Sequence, residues 1–94
     1  MHFVVIRKRG AAWNDVLPMP QQERWAEHAA FMNTLADEGF VVLGGPLSGT
    51  GMFLLIVSAE SKPAIRARLV HDPWTSIGLL TISSIEPWEI LLGR

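Results

Sequence analysis

Residues 40–57 read FVVLGGPLSGTGMFLLIV, two apolar runs joined by a connection rich in glycine, serine and proline. β-Branched and aromatic residues crowd 40–43 and 52–57, so each run is predicted to be a strand. Gly44-Gly45-Pro46 is expected to break the first, and 46–51 to form the turn of a hairpin with a longish loop. The second run does not alternate in polarity. Met52, Leu54 and Ile56 fall on one side and Phe53, Leu55 and Val57 on the other. A strand with one wet face alternates apolar and polar residues, so this strand calls for burial on both faces.

The pattern on either side of the hairpin is helix and then strand. Upstream, residues 20–38 have helical spacing, with Pro20 tolerated in the first turn and Gly39 placed to close the helix. Before them lies a loop at 10–20 containing Pro18 and Pro20, and before that a strand at 3–8, Phe-Val-Val-Ile-Arg-Lys. Downstream, Ser61 is a good N-cap for a helix over 62–71, with Pro63 in its first turn. Asp72-Pro73 stops that helix, because a residue before proline is pushed out of the helical region. Residues 79–85 read as a fourth strand ended by Pro87, followed by an apolar tail, Trp88 to Leu92. The order β-α-β-β-α-β predicts an α+β, ferredoxin-like domain spanning 1–94, a four-stranded antiparallel sheet with both helices on one face. Two helices cover one sheet face only. The other is expected to be covered by the same face of a second copy, giving a homodimer joined by the tail. Alternatively, the tail completes the core of a single chain.

The composition narrows the functional classes. The chain has 94 residues, is 49% hydrophobic and 18% charged, and carries a net charge of −1. That describes a folding sequence of one domain without the basic face of a nucleic-acid binder. Arg7-Lys8-Arg9 reads as a strand end, and Arg66 with Arg68 as a solvated helix face. With no cysteine, disulfides, thiolate nucleophiles and Cys-ligated metals drop out. No apolar run approaches the roughly 18 residues of a membrane span, and the N-terminus lacks the features of a signal peptide. The expected location is the cytoplasm, with no metal and no organic cofactor.

Two residues stand out against this background. On a helical wheel of the first helix, Trp25, Ala29, Phe31, Met32, Leu35 and Ala36 share an apolar arc, and His28 falls inside it. A histidine aimed at the core is either a satisfied core residue or a base in a pocket. Ile65, Leu69 and Asp72 lie at i, i+4 and i+7, so Asp72 leaves the second helix on its sheet-facing side. An acid there can orient a histidine, or it can open a turn through its own backbone. Gly45, Pro46 and Ser48 are candidate pocket residues from the hairpin, and Trp74 is expected at the pocket rim. His71 reads as a helix C-terminal cation and His2 as a strand-end residue.

The ordered set His28-Ala29-Ala30-Phe31, Gly45-Pro46, Asp72-Pro73-Trp74-Thr75-Ser76-Ile77-Gly78 and Glu86-Pro87-Trp88 resembles the YCII-related proteins over nearly the whole chain. The resemblance implies a ferredoxin-like domain that dimerises into an α/β barrel, similar to muconolactone isomerase. It also implies an active-site pair formed by His28 and Asp72. One relative of that type is a dehydrochlorinase of a chlorinated hydroxyquinol, working without metal or organic cofactor. The loop at 10–20 departs from the family pattern in length and proline content and is expected to reshape the pocket mouth.

Together these features predict a cofactor-free lyase or isomerase acting on a small cyclic or aromatic molecule. His28 would move the proton and Asp72 would orient it. The competing expectations are a ligand-binding or structural dimer without turnover, and a cofactor-independent monooxygenase on the same scaffold.

Overall fold

A computed structural model describes residues 1–93. The strands are β1 (His2–Arg9), β2 (Val41–Leu47), β3 (Met52–Ser58) and β4 (Leu80–Trp88). They form one sheet in the order β2-β3-β1-β4, and every neighbouring pair is antiparallel. Helix α1 (Trp25–Asp37) joins β1 to β2, and helix α2 (Lys62–Leu69) joins β3 to β4. Each crossover skips one strand, so the two connections interleave, as the β-α-β-β-α-β reading expects.

Both helices cover the same sheet face. Leu35 of α1 and Ile65 and Leu69 of α2 pack in one buried cluster with Phe3, Val5, Leu55, Val57 and Ile85. Each such side chain removed from water contributes about 1.5–3 kcal/mol. Ser61 caps α2 as expected, its Oγ accepting from the Ala64 amide at 3.2 Å. Gly39, at φ +80°, follows the end of α1 in the left-handed region that favours glycine.

The structure corrects several boundaries. Strand β2 runs through Gly44-Gly45-Pro46 to Leu47, and β4 runs through Pro87 to Trp88. Both are edge strands, where a proline lacking its N–H faces no partner. The predicted first helix begins late. Prolines 18 and 20 yield one 3₁₀ turn at Met19–Gln21, and Arg24 at φ 58° separates it from α1. A third, single-turn helix, α3 (Pro73–Ser76), follows Asp72.

The loop before α1 is pinned by Gln22, which is buried. Its Oε1 accepts from the Asn14 amide at 3.1 Å, and its Nε2 donates to the Asn14 and Leu17 carbonyls at 2.7 and 2.9 Å. The same loop sends Trp13 into a second cluster with Trp74, Leu79 and Leu80, packed by Met19, Trp25, Phe53 and Ile77. A backbone crossing makes this possible: the Gly10 amide donates to Leu79 O at 2.8 Å. A Cβ on Gly10 would lie 2.2 Å from the Gly78 carbonyl oxygen, so only glycine fits there.

The opposite sheet face presents Val4 in register with Ile56 and Ile6 in register with Leu54, with Leu54 facing Gly45 of β2. Leu43 and Trp88 at its margins are 68% and 42% exposed, and Leu91 and Leu92 of the tail are 80% and 90% exposed. Among the described residues no helix is long and apolar enough to cross a membrane.

Candidate active site

His28 projects from the second turn of α1 toward the sheet and is 8% exposed. Asp72, fully buried, caps α3: its Oδ1 accepts from the Trp74 amide at 2.9 Å. The two meet across 44 positions of sequence, with His28 Nδ1 lying 2.9 Å from each Asp72 oxygen. With a carboxylate as its partner, Nδ1 carries the proton and donates it. In that tautomer the lone pair lies on Nε2, and among the described residues no protein group bonds to Nε2.

Trp74 holds the ring in place. The His28 and Trp74 rings stack at 3.8 Å between centroids, with 5° between their planes. Trp74 Nε1 donates to the Glu23 carbonyl at 2.6 Å. Trp74 is wholly buried, so the structure corrects its expected place at a pocket rim: it backs the histidine from within the core.

A third residue completes the cluster. Arg7 of β1 is 2% exposed, and its Nη2 donates to Asp72 Oδ2 at 2.9 Å and to Thr75 Oγ1 at 3.2 Å. Thr75 Oγ1 in turn donates a hydrogen bond to the Leu69 carbonyl at 3.0 Å. The reading of Arg7-Lys8-Arg9 as a plain strand end therefore fails at Arg7, while Lys8 and Arg9 are exposed as expected. The signal was present in the period of the strand, since Phe3, Val5 and Arg7 share one parity and hence one face.

Asp72 is consequently ionised. Burial pushes its carboxyl upward, but the His28 ring N–H, the Arg7 charge and the Trp74 amide act the other way and hold it below the usual aspartate value. A carboxyl lowered on folding contributes stability above its unfolded pKa of about 3.9, and this is lost as pH falls through the folded value. The wild-type melting temperature is therefore expected to fall more steeply below about pH 4 than that of Asp72→Asn. Thermal melts followed by circular dichroism across that range check this, and parallel curves would contradict it.

His28 and Arg7 line a cavity of about 390 Å³ between α1 and the sheet. Its other walls are mostly apolar, with Trp25, Met32, Leu55 and Phe53 among them, and Gly45 and Pro46 of β2 close it. Ser48 lies elsewhere. It is exposed in the hairpin and lines, with Lys8, Arg9 and Trp13, an adjoining cleft of about 710 Å³ that shares Pro46 and Phe53 with the His28 cavity. That larger cleft offers neither a histidine nor a carboxylate, so the smaller cavity is the better candidate for chemistry. Among the described residues no three histidine, cysteine or acidic side chains gather as a metal-binding set.

Fold and cluster together define a small α+β protein with a buried His-Asp pair opening on an apolar cavity. Among solved structures the chain is similar to 5-chloro-2-hydroxyhydroquinone dehydrochlorinase (TftG) from Burkholderia phenoliruptrix AC1100, in complex with 2,5-dihydroxybenzoquinone. The two share 28% identity over 95% of this chain and 94% of that one, with a TM-score of 0.63. No family model and no curated protein matches the chain.

Proposed function

We propose that the chain is a dehydrochlorinase-like enzyme of the YCII-related kind, moving protons on a small hydroxylated ring without a cofactor. The observation that carries this reading is His28 Nδ1 at 2.9 Å from Asp72 on the wall of a 390 Å³ cavity. A base needs a free lone pair, a fixed ring and a group that stabilises the imidazolium. Nε2, the Trp74 stack and Asp72 match those needs in turn. Likeness to a dehydrochlorinase over nearly the full length of both chains supports the reaction class.

In the proposed chemistry, Nε2 takes a proton from a ring hydroxyl, whose electron pair becomes a carbonyl. The imidazolium returns the proton to a ring carbon. With hydrogen alone on that carbon the result is an isomerisation. With chlorine there, the freed Nε2 takes a second hydroxyl proton, that oxygen becomes a carbonyl and the C–Cl bond breaks with release of chloride, so the net change is loss of HCl and no oxidant is required. Asp72 stays ionised throughout and stabilises the imidazolium that His28 becomes.

The test is incubation of the purified protein with a chlorinated trihydroxybenzene under exclusion of oxygen. Chloride release in step with formation of a quinone absorbance is the expected result. Absence of both across chlorinated and unchlorinated polyhydroxybenzenes would remove the catalytic reading.

We infer also that the fold is the ferredoxin-like form that pairs sheet to sheet. The half-buried Val4, Ile6 and Leu54, the exposed Leu43 and the apolar tail support a second copy as the cover of that face. Light scattering is expected to give twice the chain mass for wild type and the single-chain mass for Leu54→Glu. A wild-type monomer at all concentrations would overturn the dimer.

A further inference from the structure

The guanidinium of Arg7 has more donors than the fold uses. It carries five N–H groups, and Nη2 satisfies Asp72 and Thr75. Nη1 finds only the sulfur of Met32, at 3.8 Å, and a thioether is a weak acceptor. Nε is buried and has no hydrogen-bond partner among the described residues. Its one counter-charge, Asp72, is shared with His28 and the Trp74 amide. A cation this buried and this poorly matched is costly for the fold alone. Arg7, Met32 and His28 all line the same cavity.

We propose that Arg7 is the anion-recognition group of the His28 cavity, its Nη1 receiving an ionised ring oxygen of the ligand, a phenolate or enolate, in place of the Met32 sulfur. The inference rests on the proton-transfer reading for its substrate class and adds what that reading lacks, a group that stabilises the oxyanion. When His28 takes up a proton, the Arg7, Asp72 and His28 cluster carries one net positive charge, and an oxyanion at Arg7 neutralises it. Arg7 stands on the sheet floor and His28 on the helix wall, so a ring between them is addressed by a base and a cation at once. Met32 is unbranched and swings aside at small cost. Ground-state hydroxyls bind weakly to a guanidinium and oxyanions strongly, so the interaction grows as the proton leaves.

The probe is 4-nitrophenol, whose anion has its own visible absorption band, with nitrobenzene as the neutral control. Wild type is expected to bind the anion at least about tenfold more tightly than both nitrobenzene and un-ionised 4-nitrophenol, so that bound probe ionises at lower pH than free probe. Arg7→Met is expected to lose that preference, and Arg7→Lys to recover part of it. Asp72→Asn keeps the α3 cap and removes the competing carboxylate, so it is expected to strengthen the anion preference. This variant and Arg7→Lys decide the matter if Arg7→Met fails to fold. The proposal is overturned if wild type binds neither probe, if it binds both alike, if the preference survives in Arg7→Met, or if Asp72→Asn weakens it. The two readings fail separately. An Arg7-dependent anion preference in a protein that turns over no ring substrate sinks the catalytic reading alone. Turnover without that preference sinks this one.

Discussion

Replacing His28 by alanine is expected to lower turnover of a hydroxylated ring substrate by about 10²–10⁴-fold, the usual contribution of a positioned acid–base group. The fold is expected to survive. Asp72 keeps Arg7 and the Trp74 amide as partners, so no buried charge is stranded. What is lost is one charge-assisted hydrogen bond and the stack on Trp74, together about 1–3 kcal/mol. The check pairs rates with thermal melts of the same preparations. Wild-type rates in His28→Ala would end the base assignment. Inactivity together with collapse of the melt would transfer His28 to a structural role.

The largest loss of stability is expected at Asp72. Asp72→Ala leaves Arg7 98% buried with no counter-charge, removes the cap of α3 and frees the His28 ring. Breaking a buried ion pair from one side costs about 3–5 kcal/mol, which for a domain of this size lowers Tm on the order of 15–30 °C. Adding Arg7→Met to Asp72→Ala is expected to restore much of that loss, because it removes the stranded charge. If the double variant melts no higher than the single, the cap rather than the ion pair dominates at this position.

The two variants separate the roles within one cluster. On the proposed reading, His28 is expected to serve the chemistry and to be dispensable to folding, whereas Asp72 is expected to serve both. The Asp72 charge faces both Arg7 and His28, and in the proposed reaction it would also stabilise the imidazolium. This explains why one carboxylate sits where β1, α1 and α3 converge. It also explains why an aspartate that reads locally as a turn opener is buried so completely. The turn-opening role is real, since Oδ1 caps α3, and the same oxygens also hold His28. The turn-opening contact and the contact with His28 are thus made by one carboxylate.

The sequence alone determined the features set by local period and local sterics. Runs of β-branched and aromatic residues marked four strands, and Ser61 and Gly39 marked helix ends. The 3.6-residue period placed His28 on the buried face of α1. The i, i+4, i+7 spacing aimed Asp72 inward. Tertiary structure decided everything that depends on which strand lies beside which. Pro46 and Pro87 read locally as breakers, and they are tolerated because β2 and β4 are the sheet edges. Trp74 was expected at a rim, but it is buried because Trp13 and Trp25 close over it from a loop and a helix far away in sequence. Arg7 looked like a strand end until β1 became a central strand with α1 and α3 above it. Its charge then found Asp72 across 65 positions. A backbone period reaches only a few residues, whereas the pairing of a buried charge is chosen by the chain's path through space.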